Sequence, residues 1–272
     1  MIGSEGTLGI ITKAIIGLLP PSAKTFTLII PYDNLHDAIK TVPEILKKKI
    51  LPMAVEFVEK EVITVTEKML NKKWPCRIGN SYLMVIIEGS NDNELENMAE
   101  AISEVCVTNN ALDVFVADTP EKQKNVLDIR SQVYEALKPN TLEILDTVVP
   151  RSEIARHVDQ VHKISSTHNM WLPIYGHAAD GNVHVHLMKA KFINEKLDSA
   201  EIPGWQEKYQ TVREEIYKDA LLRGGTISGE HGIGITKAKY LEMAIGKTQI
   251  TIMEGIKALF DPLNILNPGK IF

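Results

Sequence analysis

After residue 24, apolar positions repeat one pattern three times: an apolar strand, a turn or cap, an amphipathic helix, then another strand. In the first pass the β-rich run Thr25-Phe26-Thr27-Leu28-Ile29-Ile30 predicts a strand that stops at Pro31. Asp33 or Asn34 then caps a helix whose apolar residues Leu35, Ala38, Ile39, Val42, Ile45 and Leu46 recur at the helical period. Pro43 lies inside that helix and predicts a kink or an interruption. A strand over residues 53–58 follows. The second pass runs from a strand at residues 82–88, through a helix bearing Leu95, Met98, Ala99 and Ile102, to a short strand at 114–116. The third runs from residues 144–149, through a helix with Ile154, Val158 and Val161, to a strand near Leu172. Between these two passes Thr119-Pro120 opens a further helix with Val126, Ile129, Val133 and Leu137 on its buried stripe. The last third is mainly helical, over about residues 205–222 and 248–260. Helices with one apolar stripe cover a face of a mostly antiparallel or mixed sheet. The expected class is therefore α+β: ferredoxin-like repeats with helices packed on one face, plus a helical C-terminal part. Residues 1–21 are denser in Gly and Pro, which places a boundary near residue 21.

Composition narrows the partners. Lys plus Arg is 30 against 35 for Asp plus Glu, a net charge of −5. The one tight basic run, Lys47-Lys48-Lys49, ends a predicted helix, where cations suit the macrodipole. Nucleic acid and anionic membrane surfaces are poor matches for that charge pattern. No apolar run reaches the roughly 18–20 residues of a membrane span, and the N-terminus has no signal-peptide pattern. Cys76 and Cys106 cannot build a disulfide framework or a Cys-rich zinc site. A reduced, cytoplasmic setting is the expectation.

The sharpest chemistry lies in Tyr175-Gly176-His177-Ala178-Ala179-Asp180-Gly181-Asn182-Val183-His184-Val185-His186-Leu187. Asp180-Gly181 between β-prone residues predicts a two-residue hairpin turn. That register sets His177 opposite His184 and Tyr175 opposite His186, all four on one side of the hairpin. Opposed Cβ atoms lie about 4.5–5.5 Å apart, a span that two imidazoles bridge through one metal ion. A longer loop would slip the register.

A second cluster is Arg223-Gly224-Gly225-Thr226-Ile227-Ser228-Gly229-Glu230-His231-Gly232-Ile233-Gly234. Its glycines let the backbone turn sharply and approach a ligand. A phosphate cradle is disfavoured because Glu230 would repel an anion. A carboxylate beside an imidazole suits a metal ligand next to a general base. With the hairpin, this gives a His177, His184 and Glu230 set with an open position, the pattern of a catalytic divalent site. His157, His162 and His168 fall in or just after one helix and are expected to be solvated; the first two lie on different faces. Arg130 sits at the edge of an apolar stripe, where a surface ion pair and a clamp for a substrate carboxylate are both open readings.

Three segments together carry a family resemblance: Gly3-Ser4-Glu5-Gly6-Thr7-Leu8-Gly9-Ile10, the histidine hairpin, and Ser228-Gly229-Glu230-His231-Gly232. The ending Asp261-Pro262-Leu263-Asn264-Ile265-Leu266-Asn267-Pro268-Gly269-Lys270 supports them. The chain resembles the C-terminal portion of FAD-linked oxidases of the vanillyl-alcohol-oxidase type, in the glycolate oxidase and D-lactate dehydrogenase branch. The resemblance implies an FAD-dependent 2-hydroxy acid dehydrogenase or oxidase. It implies a divalent metal (zinc, manganese or iron) on His177, His184 and Glu230. His231 is implied as the base that takes the hydroxyl proton, and Arg130 as the holder of the substrate carboxylate. Gly3, Ser4, Glu5, Gly6, Thr7, Gly9 and Ile10, with Asn267 and Lys270, are implied to lie against the flavin. Residues 1–20 would then be the tail of an FAD-binding domain whose remainder is expected to be missing or on a separate chain. Residues 21–272 would be the substrate- and metal-binding cap, expected to be inactive alone. His186 is left as an extra ligand, a substrate contact or a surface residue, since some relatives carry Asn there. A metal-dependent hydrolase is the alternative from another class, and a non-catalytic subunit or fragment is the third; a hydrolase has no use for the 3–10 segment.

Overall fold

The computed structural model describes residues 1–18 and 24–272. The boundary expected near residue 21 lies outside the described residues. The chain opens with β1 (Lys24–Tyr32), α1 (Leu35–Lys47), β2 (Ala54–Glu59), α2 (Lys60–Leu70), β3 (Ser81–Gly89), α3 (Asp92–Thr108) and β4 (Phe115–Ala117). It continues with α4 (Pro120–Ser131), α5 (Val133–Leu137), β5 (Thr141–Val148), α6 (Ile154–His168), β6 (Ile174–His177) and β7 (Asn182–Met188). A hairpin of β8 (Ala190–Ile193) and β9 (Lys196–Glu201) precedes α7 (Trp205–Leu222), α8 (Leu241–Ile245) and α9 (Lys247–Phe260).

Seven strands form one sheet in the order β4-β1-β3-β2-β6-β7-β5, and every neighbouring pair is antiparallel. The first four strands, with α1 and α3, have ferredoxin-like connectivity. The β5-α6-β6-β7 segment repeats its first half, with β7 between β5 and β6 as β3 lies between β1 and β2. The two repeats join edge to edge where β2 pairs with β6. Thus the α+β class and the repeat organisation are as expected.

The main core lies between one sheet face and α1, α3, α6 and α7. It is built from Leu28, Ile30, Phe57, Leu83, Val85, Leu145, Val183 and Val185 beneath Ile39, Ile102, Val158 and Ile216. A smaller second layer of α2, α4 and α5 covers part of the other face, around Ile29, Val62, Val126, Ile129 and Tyr175. The remainder of that second face carries the polar residues described below.

Two expectations about proline need correction. β1 runs through Pro31 to Tyr32 instead of stopping. The Tyr32 carbonyl turns towards β3 and accepts from Asn80, so Pro31 faces the other way, beyond the end of β4, where its carbonyl accepts from Leu112. No ladder partner needs the N–H that proline lacks. Helix α1 likewise passes Pro43 unbroken. Leu35, Ala38, Ile39, Val42 and Ile45 are buried on either side of it, and tertiary packing of that stripe outweighs one lost backbone bond. Asn34 is the cap, its side chain accepting from the Asp37 amide. The helix predicted from Thr119-Pro120 is divided at Gln132 into α4 and α5. No helix among the described residues is long and apolar enough to cross a membrane.

Candidate metal centre

The hairpin between β6 and β7 forms with a different register from the one expected. His177 pairs with Asn182, and Tyr175 with His184. The loop has four residues, 178–181, because its neighbours hold it open. Ala178 donates to the Val55 carbonyl on β2, and Val149 donates to the Gly181 carbonyl from the other side. Gly181 sits at φ +91°, and a Cβ there would lie 2.1 Å from the Val149 oxygen. The slip is two residues, an even number, so side-chain parity survives. His177, His184, His186 and Tyr175 still share a face. The His177 and His184 rings are diagonal neighbours, centroids 5.3 Å apart and edge to face.

Across that face the pleat adds carboxylates. Glu56 on β2 pairs with His177, and Asp146 on β5 pairs with His184. Glu56 Oε1 lies 2.6 Å from His177 Nδ1. Burial alone would raise the Glu56 pKa, but the His177 hydrogen bond and the Arg130 charge hold its carboxyl below the ordinary range. The same hydrogen bond raises the imidazole of His177, against its own burial. His184 is pushed down to about 4 by burial, partly offset by Asp146, so at neutral pH it is the uncharged form that metal ions require.

The glycine-rich loop brings the last pieces. Thr226 and Ser228 bridge to the free edge of β5, at Val148 and Asp146. The amides of Gly229, Glu230 and His231 then converge on Asp146 Oδ2 at 2.9, 2.9 and 2.8 Å. Three successive N–H groups on one carboxylate oxygen fix this turn. Gly225 and Gly229 are needed for the close approach, since a Cβ would lie 2.1 Å from the Val148 oxygen and 2.6 Å from Val148 Cγ2, respectively.

The turn sets Glu230 over the hairpin. Glu230 Oε1 lies 3.6 Å from His177 Nε2, 3.3 Å from His184 Nε2 and 3.8 Å from His231 Nε2. Donors bound to one divalent ion at about 2.0–2.2 Å sit roughly 3.1–3.6 Å from one another, so this convergence fits a metal ion. Ligand atoms of Asp146, His184, Glu230 and His231 also fall within 4.8 Å of one another. The His184 and His231 rings stack 5.2 Å apart at 13°. Their Nδ1 atoms face Asp146, whose side chain is 0% exposed, and their Nε2 atoms face Glu230, which is 53% exposed. An ion reaching the cluster from solvent meets the Glu230 side. His184 Nδ1 and Asp146 Oδ1 are buried without hydrogen-bond partners among the described residues, 3.6 Å from each other.

Arg130 makes an ion pair, though not a surface one. Its guanidinium is largely buried, 2.5 Å from Glu56 and over the ring of Tyr175 at 4.9 Å. It therefore joins the cluster through Glu56. His186 is wholly buried, with Nδ1 2.9 Å from Thr141 Oγ1 and Nε2 3.0 Å from Tyr175 Oη. Both nitrogens are engaged, and burial pushes its pKa down to about 3; it is neither a surface residue nor turned towards Glu230. His157, expected to be solvated, is fully buried between Thr147 and Asp219. His162 is exposed beside Glu59, and His168 is partly buried beside Glu215.

The N- and C-terminal segments meet at the same loop. Glu5 accepts hydrogen bonds from the amides of Ile233 (2.6 Å) and Gly234 (2.8 Å). Asn267 donates to the Glu5 carbonyl at 2.6 Å, and a Cβ on Gly6 would lie 2.6 Å from its amide nitrogen. Ser4 and Thr7 close local turns, with Thr7 buried; Gly3 has open space around it and Gly9 packs against Met1. Ile10 is exposed. The Lys270 amide bonds to the Asn267 carbonyl, and Ile271 ties the tail to Gly234. Sequence reasoning missed Glu56 and Asp146. The signal available was an acidic residue directly beside apolar ones in each of two strands, Val55-Glu56-Phe57 and Ile144-Leu145-Asp146.

An antiparallel sheet with imidazoles and two carboxylates on one partly open face, and an arginine from α4 beside them, is a candidate ligand-binding surface. Comparison with known proteins makes this specific. The chain belongs to the FAD-linked oxidases: residues 21–271 match the model of their C-terminal domain. It is 39% identical over 278 residues to a D-lactate dehydrogenase of Anaerostipes hadrus, covering all of this chain and 57% of that protein. It is 36% identical over 275 residues to the glycolate oxidase subunit GlcD of Bacillus subtilis, again over the whole chain and 56% of the relative. The chain thus spans just over half the length of these relatives. Among solved structures, 4-ethylphenol oxidase from Gulosibacter chungangensis shares the fold, with a TM-score of 0.65 at 15% identity over 94% of this chain and 55% of that one. A p-cresol methylhydroxylase also has a TM-score of 0.65, at 11% identity over 93% of this chain and 53% of that one.

Proposed function

We propose that this chain is the substrate- and metal-binding part of an FAD-dependent oxidoreductase acting on small 2-hydroxy acids of the D-lactate or glycolate kind. The convergence of His177, His184 and His231 on Glu230, beside Arg130, is the observation that carries this reading. The relatives named for D-lactate and glycolate support the substrate class. His177, His184 and Glu230 would hold zinc, manganese or iron, nitrogen-rich ligands favouring these over calcium or magnesium. Such an ion supplies a Lewis acid that lowers the pKa of a bound hydroxyl. Arg130 then binds the substrate carboxylate through its planar fork, exchanging part of its pairing with Glu56. His231, on the solvent side of the stacked pair, accepts the hydroxyl proton at Nε2. FAD, when bound, supplies the two-electron acceptor.

In this reading residues 1–20 are the end of an FAD-binding domain. The family match starting at residue 21 supports that division, as does the tie from Glu5 and Asn267 to the loop bearing His231. The rest of the flavin site belongs to sequence outside these residues, on the same protein or another chain, and this chain is inactive without it. A cytoplasmic setting is part of the proposal, supported by the two free cysteines. Membership of an FAD-linked oxidase family favours redox chemistry over hydrolysis.

Zinc or manganese titration of the chain, read by calorimetry, tests the centre. One ion per chain is expected, with binding weakened by at least about 100-fold in Glu230→Gln. No saturable binding, or full affinity in Glu230→Gln, would refute the site.

A further inference from the structure

All three imidazoles of the cluster are oriented the same way, and residues outside the ligand set account for it. His177 turns Nδ1 to Glu56 at 2.6 Å. His184 and His231 turn Nδ1 to Asp146 at 3.6 and 4.0 Å. Each Nε2 faces Glu230 Oε1 instead. Both carboxylates sit low in the sheet, with side chains 12% and 0% exposed. Neither carries an incidental charge. Glu56 is balanced by Arg130, and Asp146 by three backbone amides and Lys237, 3.6 Å away.

We infer that Glu56, through its hydrogen bond, and Asp146, through the negative charge it presents to two rings 3.6 and 4.0 Å away, are positioning residues that favour the Nδ1–H tautomer on His177, His184 and His231, leaving every Nε2 lone pair aimed at one point. A neutral histidine side chain free in water favours the Nε2–H tautomer and rotates about its side-chain bonds. A carboxylate behind Nδ1 selects the proton position and the ring plane together. Sheet register supplies the placement: Glu56 is the cross-strand partner of His177, and Asp146 that of His184. Asp146 has a second task, since the amides it anchors place Glu230 and His231 themselves. The two carboxylates therefore differ in reach. Loss of Glu56 disturbs one imidazole, whereas loss of Asp146 disturbs two imidazoles and the loop.

The inference rests on the metal-centre reading, so the test separates the two. Long-range nitrogen–proton NMR of histidine-labelled, metal-free chain at pH 8 reads each ring's tautomer directly, and chelator competition reads zinc affinity. The wild type is expected to show Nδ1–H rings at all three positions. In Glu56→Gln, His177 alone should lose that preference, with zinc affinity reduced about 10- to 100-fold, the usual cost of removing such a partner. In Asp146→Asn, His184 and His231 should change together and affinity fall further. Nε2–H rings in the wild type would overturn the inference, as would unchanged tautomers in a folded Glu56→Gln. If Asp146→Asn does not fold, Glu56→Gln and the wild-type spectrum still decide it. Absence of zinc binding by the wild type, with the predicted tautomers present, would instead refute the metal reading alone.

Discussion

Replacing His157 by leucine tests how the sheet beneath the site is held. His157 is fully buried, its Nδ1 2.7 Å from Asp219 and its Nε2 3.0 Å from Thr147 Oγ1. Thr147 follows Asp146 on β5, so this imidazole fastens the site's strand to α6 and α7. The Asp219 contact is a hydrogen bond to a charged group, worth about 1.5–3 kcal/mol, and the Thr147 contact about 1 kcal/mol. Neither partner is orphaned. Asp219 keeps two bonds from Arg223, and the Thr147 hydroxyl keeps the Val183 carbonyl at 3.3 Å. Leucine also fills most of the volume. The expected loss is thus about 3 kcal/mol at pH 7, or roughly 6–12 °C in Tm for a chain of this size, measured by urea and thermal denaturation. A pH series adds a sign. Burial works against the Asp219 charge, but His157 and Arg223 outweigh it and hold the carboxyl below its ordinary range. Stability from that shift is present above the unfolded value of about 3.9 and is lost as pH falls through the folded one. The Asp219 share of the gap between wild type and variant should therefore shrink in acid. A loss below about 1 kcal/mol at pH 7, or an Asp219-linked gap that widens in acid, would refute this account.

Gly181→Ala should destabilise the chain by at least about 2 kcal/mol, because the left-handed φ and the contact with the Val149 oxygen act together; near-neutral denaturation curves would count against the observed hairpin loop. Arg130→Met in the flavin-containing protein should lower kcat/KM for the hydroxy acid by about 10²–10³, from the loss of about 3–4 kcal/mol of charged hydrogen bonding. Arg130→Lys should recover only part of it, lacking the planar fork. Equal activity in the methionine variant would remove Arg130 from the site. Glu5→Ala should raise amide hydrogen exchange at Ile233 and Gly234 by about 10²-fold, since both donors lose a charged acceptor. Unchanged exchange would mean that the N-terminal segment does not hold the loop.

Much of the architecture was legible because it is written in periodicity. Helices α1, α3, α6 and α7 carry apolar stripes at the helical period and strand β3 a continuous apolar run, and all form where expected. Helix α2 escaped notice because it follows β2 at once, Glu59 ending the strand and standing directly before the helix with no side-chain cap. The histidine face was legible from alternation alone, yet the register was not. Loop length depends on hydrogen bonds with Val55, which accepts, and Val149, which donates; both are more than 25 positions away, and no local turn rule contains them. Glu56 and Asp146 were hidden for a related reason: an acidic residue in a strand reads as solvent-facing until the neighbouring strands are known. His157 shows the converse. Read as solvated, it lies on the buried face of α6, where Thr147 and Asp219, from β5 and α7, supply the partners that make burial tolerable.

The repeat explains why the site lies where it does. In the first repeat β4 pairs with β1 and closes that edge of the sheet. In the second, α7 leads to residues 226–229, which take the corresponding place beside β5 but form only two isolated bridges. A full strand there would commit its backbone groups to the ladder. The glycine-rich segment leaves β5 after two residues, so the amides of Gly229, Glu230 and His231 turn inward to Asp146 instead. The missing strand is what places a carboxylate and an imidazole over the hairpin histidines. The 226–229 segment itself still lies along part of the β5 edge, which shields it from pairing with another chain. Completing that strand, by replacing Gly229 with a β-branched residue, would push a side chain into Val148 and Asn182 and pull Glu230 from the cluster.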